Sequence, residues 1–315
     1  MNPIQILGAV LVLLGLVLSD EHTKHGPRVP HQSDDGEHNA AFDHEAVLGS
    51  EDLEEEFAGL PPEEAKERLQ TLAEEHDIDK DGQISKDEMY KWITSSFLNL
   101  DQQESNEKFE EEDEDRDGKV SWEEYLKKVY GYNPQDVEEL RKTASEDKNE
   151  EARETESTLK MVDDDHRMFK AADEDKDGSL NPDEYMAFFY PHNYDHMHQF
   201  EIDRYLEQND GDGDRKITLA EFTPEGASQE SKITSKENFA DLDKDKDGIL
   251  KEEELKEWVA PATDELAEDE ANHLIEMADT NGDGLLSMEE IVQKTDQFVG
   301  SSATDYGNFL RHEEL

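Results

Sequence analysis

Acidic side chains recur in a fixed twelve-residue pattern six times along the chain. Each copy places oxygen-bearing side chains at positions 1, 3 and 5 and a Glu at position 12. Carboxylates spaced this closely can wrap a hard cation such as Ca²⁺, which prefers about six to eight oxygen ligands. Chance repetition in an acidic chain is the alternative, but it does not explain the apolar residue at position 8 of every copy: Ile84, Val120, Leu180, Ile217, Leu250 and Leu286.

The expected metal ligands lie at positions 1, 3, 5, 7, 9 and 12, with position 7 contributing its backbone carbonyl. In the first three copies they are Asp77, Asp79, Asp81, Gln83, Ser85 and Glu88; Asp113, Asp115, Asp117, Lys119, Ser121 and Glu124; and Asp173, Asp175, Asp177, Ser179, Asn181 and Glu184. In the last three they are Asp210, Asp212, Asp214, Lys216, Thr218 and Glu221; Asp243, Asp245, Asp247, Ile249 and Glu254; and Asp279, Asn281, Asp283, Leu285, Ser287 and Glu290. This is the ligand pattern of an EF-hand calcium loop.

Two loops depart from the pattern. The fourth has Arg215 at position 6, where the other five have Gly. A residue with a Cβ destabilises the left-handed conformation that this turn needs by roughly 1 kcal/mol. The positive charge of Arg215 is also expected beside the metal ligands. The fifth has Lys251 at position 9, which offers no oxygen. We predict that the fourth loop binds calcium most weakly, and a site-resolved titration in which it fills first would contradict this.

Helices must flank these loops to hold them. Apolar residues at helical spacing precede five loops by four residues, and similar residues follow the loops: Phe109, Phe169, Leu206, Phe239 and Ile275 before, and Trp92, Tyr125, Phe188, Trp258 and Ile291 among those after. The pattern predicts an all-α fold of six helix-loop-helix units, in three pairs joined by short β bridges between loops. Core packing is the favoured role for the apolar faces, and binding of a client protein is the alternative.

The spacing of the loops predicts which units pair. Loop starts lie 36 residues apart for the first and second, 37 for the third and fourth, and 36 for the fifth and sixth. We therefore expect EF-hands 1 and 2 over residues 64–132, EF-hands 3 and 4 over 165–222, and EF-hands 5 and 6 over 236–300. An acidic linker or helix is expected over 133–164, and a second linker over 223–235.

The charge balance restricts the partners and the source of stability. Eighty-five Asp and Glu against 31 Lys and Arg give a formal charge of −54, which disfavours nucleic acid and anionic lipid and favours cations or basic proteins. Only 33% of residues are hydrophobic and none is Cys, so neither a large core nor disulfides can stabilise the chain. Because convergent carboxylates repel one another until a cation neutralises them, calcium binding is expected to drive folding.

Both ends carry patterns of targeting signals. Residues 4–18 are almost wholly apolar, and Val17 and Ser19 suit a signal-peptidase site, so residues 1–19 are expected to be a cleaved signal peptide, with an uncleaved membrane anchor as the alternative. Residues 20–63 form an acidic segment that is expected to be disordered. The tail, residues 301–315, ends in His312-Glu313-Glu314-Leu315, which is similar to the retrieval signals of the endoplasmic reticulum. The expected location is the lumen of that compartment, with the Golgi or secretion as further destinations.

Nothing in the sequence indicates an enzyme. A Gly-rich phosphate loop, a His-Glu-x-x-His zinc motif and a nucleophile elbow are all missing from it. His192, His196 and His198 cluster after the third loop, and a transition-metal site there is weighed against the favoured interpretation of solvated side chains.

Taken together, the six loops, the two targeting signals and the missing cysteines resemble the reticulocalbin–calumenin (CREC) family. Further resemblance lies in residues 42–49 (FDHEAVLG), 121–132 and 298–307 (FVGSSATDYG), the last pointing to the calumenin branch. The resemblance implies low-affinity calcium binding in the secretory pathway and chaperone-like or regulatory contacts with clients. Expected partners are clients with basic surfaces and the retrieval receptor, with no nucleic acid and no membrane span in the mature chain. A non-specific calcium storage buffer is the alternative.

Overall fold

A computed structural model describes residues 39–146, 150–224, 226–260 and 265–300. It confirms the all-α EF-hand architecture, with short strands only in the loops. The predicted signal peptide, residues 20–38 of the predicted N-terminal acidic segment and the tail with its retrieval signal lie outside the described residues. Within the described part of the chain, no helix combines the length and apolarity needed to cross a bilayer.

The helices and strands alternate regularly along the chain. The first half contains α1 (Ala40–Leu48), α2 (Glu51–Gly59), α3 (Pro62–His76), β1 (Gln83–Ile84), α4 (Lys86–Glu112), β2 (Val120–Ser121), α5 (Trp122–Tyr125), a π-helical turn (Leu126–Tyr130), α6 (Pro134–Glu146) and α7 (Glu150–Ala172). The second half contains β3 (Ser179–Leu180), α8 (Pro182–Phe189), a 3₁₀ turn (Pro191–Asn193), α9 (His198–Asn209), β4 (Ile217–Thr218), α10 (Leu219–Phe222), α11 (Gln229–Leu242), β5 (Ile249–Leu250), α12 (Glu252–Val259), α13 (Glu265–Ala278), β6 (Leu286–Ser287), α14 (Met288–Gln293) and α15 (Thr295–Phe298).

The loops pair differently from the sequence-based expectation. Antiparallel strands join β1 to β6, β2 to β3 and β4 to β5, with Ile84 opposite Leu286, Val120 opposite Leu180 and Ile217 opposite Leu250. The predicted partners, loops 1 with 2, 3 with 4 and 5 with 6, are therefore wrong. The expectation of three pairs joined by short bridges is confirmed.

The connecting helices explain this pairing. One uninterrupted helix, α4, is both the exiting helix of hand 1 and the entering helix of hand 2. Between loops 2 and 3 the predicted linker, 133–164, lies in two helices, α6 and α7, that pack together. Arg141 on α6 holds Asp163 on α7 through both guanidinium nitrogens, one of them at 2.9 Å. Because this helical hairpin reverses the chain direction, it lets loop 3 return to loop 2.

The described residues form two compact units, each with its own pairs. Residues 39–104 and 265–300 form one, which contains the pair of loops 1 and 6 and a single hydrophobic core. Residues 105–260 form the other, which contains one core for loops 2 and 3 and a smaller one for loops 4 and 5. Three modest cores thus replace the single large core that the composition excluded.

Part of the predicted disordered segment is folded. Residues 39–63 form α1, α2 and the start of α3, and Phe42, Val47 and Phe57 are buried in the core of the first unit. Trp92 on α4 donates a hydrogen bond of 2.9 Å to the carbonyl of Val47 and so attaches α1 to hand 1. The helix ends at Gly49, whose left-handed φ of 60° and close approach to Ser96 leave no room for a Cβ. The prediction of disorder over this part was wrong because a few apolar residues on α1 and α2 have a preformed core to join.

Two carboxyl groups are buried together between α1 and α13. Asp43 is 4% exposed and Glu270 is fully buried. Burial, followed by the charge and hydrogen bond of Asp43, raises the pKa of Glu270 well above its ordinary value. His273 on the same helix lies with its Nε2 atom 3.7 Å from Asp43 Oδ2. Glu270 therefore holds a proton at neutral pH, which removes the repulsion between two buried negative charges.

The apolar residues that flank the loops pack as the sequence predicts. Those four residues before loops 2 to 6 are all buried, as are Trp92, Tyr125, Phe188 and Ile291 after the loops. Trp258 differs, being 41% exposed while its ring packs edge-on against Phe222. Core packing is therefore the role of most of these side chains.

Candidate metal centres

The carboxylate at position 1 shapes each loop through the backbone. In loop 1, Asp77 Oδ1 accepts from the N–H of Asp81 at 3.2 Å and Asp77 Oδ2 from the N–H of Gly82 at 2.9 Å. The equivalent bonds recur in loops 2 to 5, and loop 6 retains the bond to position 6. These bonds turn the chain back on itself, and the side chains of positions 3 and 5 consequently face the same space as position 1.

The Glu at position 12 is already drawn into each loop. In loop 1, Glu88 Oε1 accepts from the N–H of Ile78 at 2.8 Å, and its Oε2 accepts from the backbone and hydroxyl of Ser85 at 2.9 and 2.7 Å. Ser85 in return caps α4 by accepting from the N–H of Glu88 at 3.3 Å. This reciprocal capping box also forms at loops 2, 3, 4 and 6. The last ligand of each loop is thus positioned by the start of the helix that follows.

These hydrogen bonds lower the pKa of the closing carboxylates in loops 1, 2, 4 and 6. The backbone N–H and hydroxyl of Ser287 lower the pKa of Glu290 to about 2. Burial acts to raise the pKa of Glu88, but the combined hydrogen bonds from Ser85, Asp79 and Ile78 outweigh it and leave that pKa below its ordinary value. An ionised carboxylate at position 12 is the form that coordinates a hard cation.

Five loops bring three carboxylates close enough to share one ion. In each of these groups the ligand oxygens lie within 4.8 Å of one another: Asp77, Asp79 and Asp81; Asp113, Asp115 and Glu124; Asp173, Asp175 and Glu184; Asp210, Asp212 and Glu221; and Asp243, Asp245 and Glu254. In loop 6, position 3 is Asn281, whose amide oxygen accepts from the N–H of Asp283 at 2.9 Å and so occupies the usual place. The convergence of oxygens and the absence of nitrogen or sulfur ligands in these groups fit calcium.

The structure places the remaining expected ligands less directly. The hydroxyls at position 9 of loops 1, 2, 4 and 6 donate to the Glu at position 12, and Asn181 in loop 3 caps α8. These side chains therefore support the closing carboxylate. The residues at position 7 lie at the start of each strand or directly before it, where their N–H groups bond the carboxylate at position 5.

Sequence reasoning missed a second left-handed position in every loop. Position 4 has a positive φ in all six loops, with Lys or Arg in four of them and Gly213 and Gly282 in the other two. Position 6 is also left-handed throughout, including Arg215 with a φ of 60°. Loop 4 has therefore exchanged the usual order, with Gly at position 4 and a larger residue at position 6. Loop 4 therefore has one non-Gly residue in the left-handed conformation, as loops 1, 2, 3 and 5 do. The recurring Lys, Arg or Gly at position 4 was the sequence signal that could have indicated this left-handed position.

The guanidinium of Arg215 lies away from the ligands of loop 4. It bonds Asp203 on α9 at 2.6 Å and Glu252 on α12 at 2.8 Å. The expectation that this cation would sit beside the ligands is therefore wrong, because two carboxylates outside the loop bind it instead. That loop 4 binds calcium most weakly stays a prediction, but the charge of Arg215 no longer supports it.

Lysine side chains contact carboxylates of loops 3 and 5 at short distance. Lys251 Nζ lies 2.5 Å from Asp245 Oδ2 and 2.6 Å from Asp247 Oδ2, within its own loop 5. Lys119 of loop 2 reaches across the strand pair to Asp177 of loop 3.

The histidine cluster does not form a metal site in the described structure. His198 Nε2 lies 2.9 Å from the carbonyl oxygen of His192, and its Nδ1 lies 3.3 Å from Asp195. No group of three potential metal ligands found among the described residues includes a histidine.

Comparisons with known proteins also identify EF-hands in this chain. A family model described as an EF-hand domain pair matches residues 66–130 and 233–295, and one described as an EF hand matches residues 165–189. Reticulocalbin-2 of Crotalus adamanteus is 36% identical over 323 residues, covering 98% of each chain. Reticulocalbin-2 of Mus musculus is 36% identical over 293 residues, covering 89% of each chain.

Proposed function

The chain belongs to the reticulocalbin family of EF-hand calcium-binding proteins, and from that premise we propose that it binds up to six Ca²⁺ with low affinity and folds as it does so. It is a calcium-binding protein and not an enzyme. In its calcium-loaded form it regulates or chaperones client proteins in the lumen of the secretory pathway. The similarity to the calumenin branch stays a prediction.

The proposed ligands are the oxygens at positions 1, 3, 5, 7, 9 and 12 of each loop, except position 9 of loop 5. Bound calcium would supply positive charge at the point where the carboxylates converge. Asp77, Asp79 and Asp81 illustrate the arrangement, since their oxygens lie within 4.8 Å of one another. The carboxylate of Glu88 is held at the rim by backbone N–H groups and is ready to close the shell.

The observation that carries the proposal is the convergence of like charges without any compensating disulfide or large core. Three carboxylates meet in each of five loops, and the chain contains no cysteine. Such groups repel one another and favour an expanded chain until a divalent cation neutralises them. Binding free energy thereby becomes folding free energy.

Location and partners rest on the sequence and on charge. The apolar stretch at residues 4–18 and the last four residues support a luminal, retrieved protein. Six Ca²⁺ contribute +12 to the formal charge of −54 and leave −42, so the loaded protein still attracts basic segments of clients, less strongly at high salt. A calcium-rich lumen makes dissociation constants of about 10⁻⁴–10⁻³ M useful.

Calcium titration of a matched pair of variants tests the proposal. One variant changes the six position-12 glutamates to Gln: Glu88, Glu124, Glu184, Glu221, Glu254 and Glu290. The control changes six exposed glutamates outside the loops to Gln and so removes the same charge: Glu55, Glu64, Glu67, Glu110, Glu156 and Glu237. We expect calcium to raise the helicity of the native chain and the control, measured by far-UV circular dichroism, and to have little effect on the loop variant. Full helicity in EGTA would contradict folding on calcium.

A pull-down with calcium or chelator separates client binding from simple storage. Saturable partners that bind only in calcium, and that the loop variant fails to retain, support the regulatory function. A buffer that binds calcium with no saturable partner would support storage instead.

A further inference from the structure

Each strand pair places two side chains beside the acidic positions of a loop. One belongs to position 9 of the loop itself, and the other to position 7 of the partner loop. In the pair of β2 and β3, Val120 lies opposite Leu180. Continuing this register by one residue sets Lys119, at position 7 of loop 2, opposite Asn181, at position 9 of loop 3.

At loop 3, this neighbouring side chain carries a positive charge. The ammonium group of Lys119 contacts Asp177 Oδ2 and lies 3.9 Å from Asp175 Oδ2. These two carboxylates are positions 5 and 3 of loop 3. A side chain from loop 2 thus neutralises part of the proposed metal shell of loop 3.

Loop 5 reaches the same arrangement by a different route. Its own position 9 is Lys251, and the Nζ atom lies 2.5 Å from Asp245 Oδ2 and 2.6 Å from Asp247 Oδ2. These carboxylates are again positions 3 and 5. The register of β4 and β5 sets Lys216 of loop 4 opposite Lys251, and Lys216 Nζ lies 3.8 Å from Asp214 Oδ2 in its own loop.

The other four loops carry no charge at either place. Position 9 of the loop and position 7 of its partner are Ser85 and Leu285 for loop 1, Ser121 and Ser179 for loop 2, Thr218 and Ile249 for loop 4, and Ser287 and Gln83 for loop 6. The contact between a lysine and the carboxylates at positions 3 and 5 is thus formed at loops 3 and 5, where the sequence supplies the cation.

We propose that Lys119 and Lys251 are internal counter-cations of loops 3 and 5, which bind the proposed ligand carboxylates while their loop holds no ion and are displaced when Ca²⁺ enters that loop. This inference rests on the proposed function of the loops. It also distinguishes loops 3 and 5, in which the ion must displace an ammonium group from the carboxylates at both positions 3 and 5, from the other four loops. Because Lys119 belongs to loop 2, calcium entry into loop 3 frees a side chain of its partner.

Competition of this kind lowers affinity without abolishing binding. The carboxylates attract a divalent ion more strongly than a single ammonium group. Both lysines have flexible side chains, so the ammonium group can move into solvent when the ion binds. The lysine side chains are 36% and 42% exposed, so solvent screens these pairs and keeps the effect modest. Removing an exposed ion pair of this kind corresponds to an affinity change of about three- to fivefold.

The test compares K119M and K251M in the full chain with two charge-matched controls. K176M and K246M remove a lysine from position 4 of the same two loops, and neither lysine forms an ion pair within the part of the chain that the structure describes. Calcium is titrated into protein labelled with ¹⁵N-glycine and followed by NMR. Gly178 and Gly248 report on loops 3 and 5, since the N–H of each donates at 2.9 Å to the Asp at position 1.

We expect K119M to raise the calcium affinity of loop 3, and K251M that of loop 5, by about three- to fivefold. Each control variant should change the calcium affinity of the same loop by less than about twofold. Equal effects of each lysine variant and its control would overturn the inference and leave the calcium proposal intact. Failure of Gly178 and Gly248 to respond to calcium in any of these proteins would overturn both, because the loops would then not be calcium sites.

Discussion

The buried carboxyl pair between α1 and α13 predicts an unusual dependence of stability on pH. Because Glu270 has a raised pKa in the folded chain, the folded state binds a proton that the unfolded state has already released at neutral pH. Its contribution to stability is thus fully present below the ordinary carboxyl pKa and is lost as pH rises toward the raised one. E270Q removes this titration and keeps a side chain of the same size that can donate a hydrogen bond to Asp43.

The expected magnitude follows from proton linkage. Over the pH range between the unfolded and folded pKa values of Glu270, the native protein loses about 1.4 kcal/mol of stability for each pH unit. From pH 5 to pH 7, E270Q should therefore gain up to about 3 kcal/mol relative to the native chain. The comparison cancels the titration of the loop carboxylates, which both proteins share.

Hydrogen exchange measured by mass spectrometry over residues 40–48 and 265–278 reads the local free energy of opening at pH 5, 6 and 7. E276Q changes an exposed Glu on the same helix and serves as the control, for which no trend with pH is expected. The reasoning would be refuted if the difference between E270Q and the native protein were constant across this range. A D43N variant should also flatten the pH dependence, because the neutral amide removes the charge that opposes ionisation of Glu270.

Three further substitutions probe the fold. G49A should lower the free energy of unfolding by about 1–3 kcal/mol and reduce the protection of α1 from hydrogen exchange, since the added Cβ would lie 2.5 Å from Ser96 Cα at a left-handed residue. Unchanged protection of α1 would disprove the close packing. K80G, at the exposed left-handed position 4 of loop 1, should raise thermal stability by up to about 1 kcal/mol, and a loss would show that the backbone is not strained there. Y130F removes one of the two tyrosine hydroxyls that bind Asp165 and should lower the free energy of unfolding by about 1 kcal/mol. An unchanged midpoint of thermal unfolding would contradict this.

The local structure of the loops was predictable because short-range chemistry determines it. Asp77, Gly82 and Glu88 have their roles through hydrogen bonds to neighbours within about ten residues, so their spacing predicts both the turn and the capping of α4. The apolar residue at position 8 likewise predicted the bridges between loops. The assignment of the proposed ligands still awaits measurement of calcium binding.

Pairing between loops could not be predicted from equal spacing. Whether Ile84 meets Val120 or Leu286 depends on α4 continuing without a turn and on residues far along the chain that complete the core. The folding of α1 depends in the same way on a distant pocket for Phe42. The positions of Lys119 and Arg215 required the register of the strands, since Asp177 lies 58 residues from Lys119 and Glu252 lies 37 residues from Arg215.

The bridge between β1 and β6 affects when this protein can mature during synthesis. Ile84 and Leu286 are about 200 residues apart, so the ribosome must release nearly the whole polypeptide before hand 1 meets its partner. Hands 2 to 5 contain all of their own partners and can assemble earlier as they emerge. A nascent chain that stalls before residue 286 therefore leaves hand 1 incomplete, with its half of the shared core open to quality-control factors.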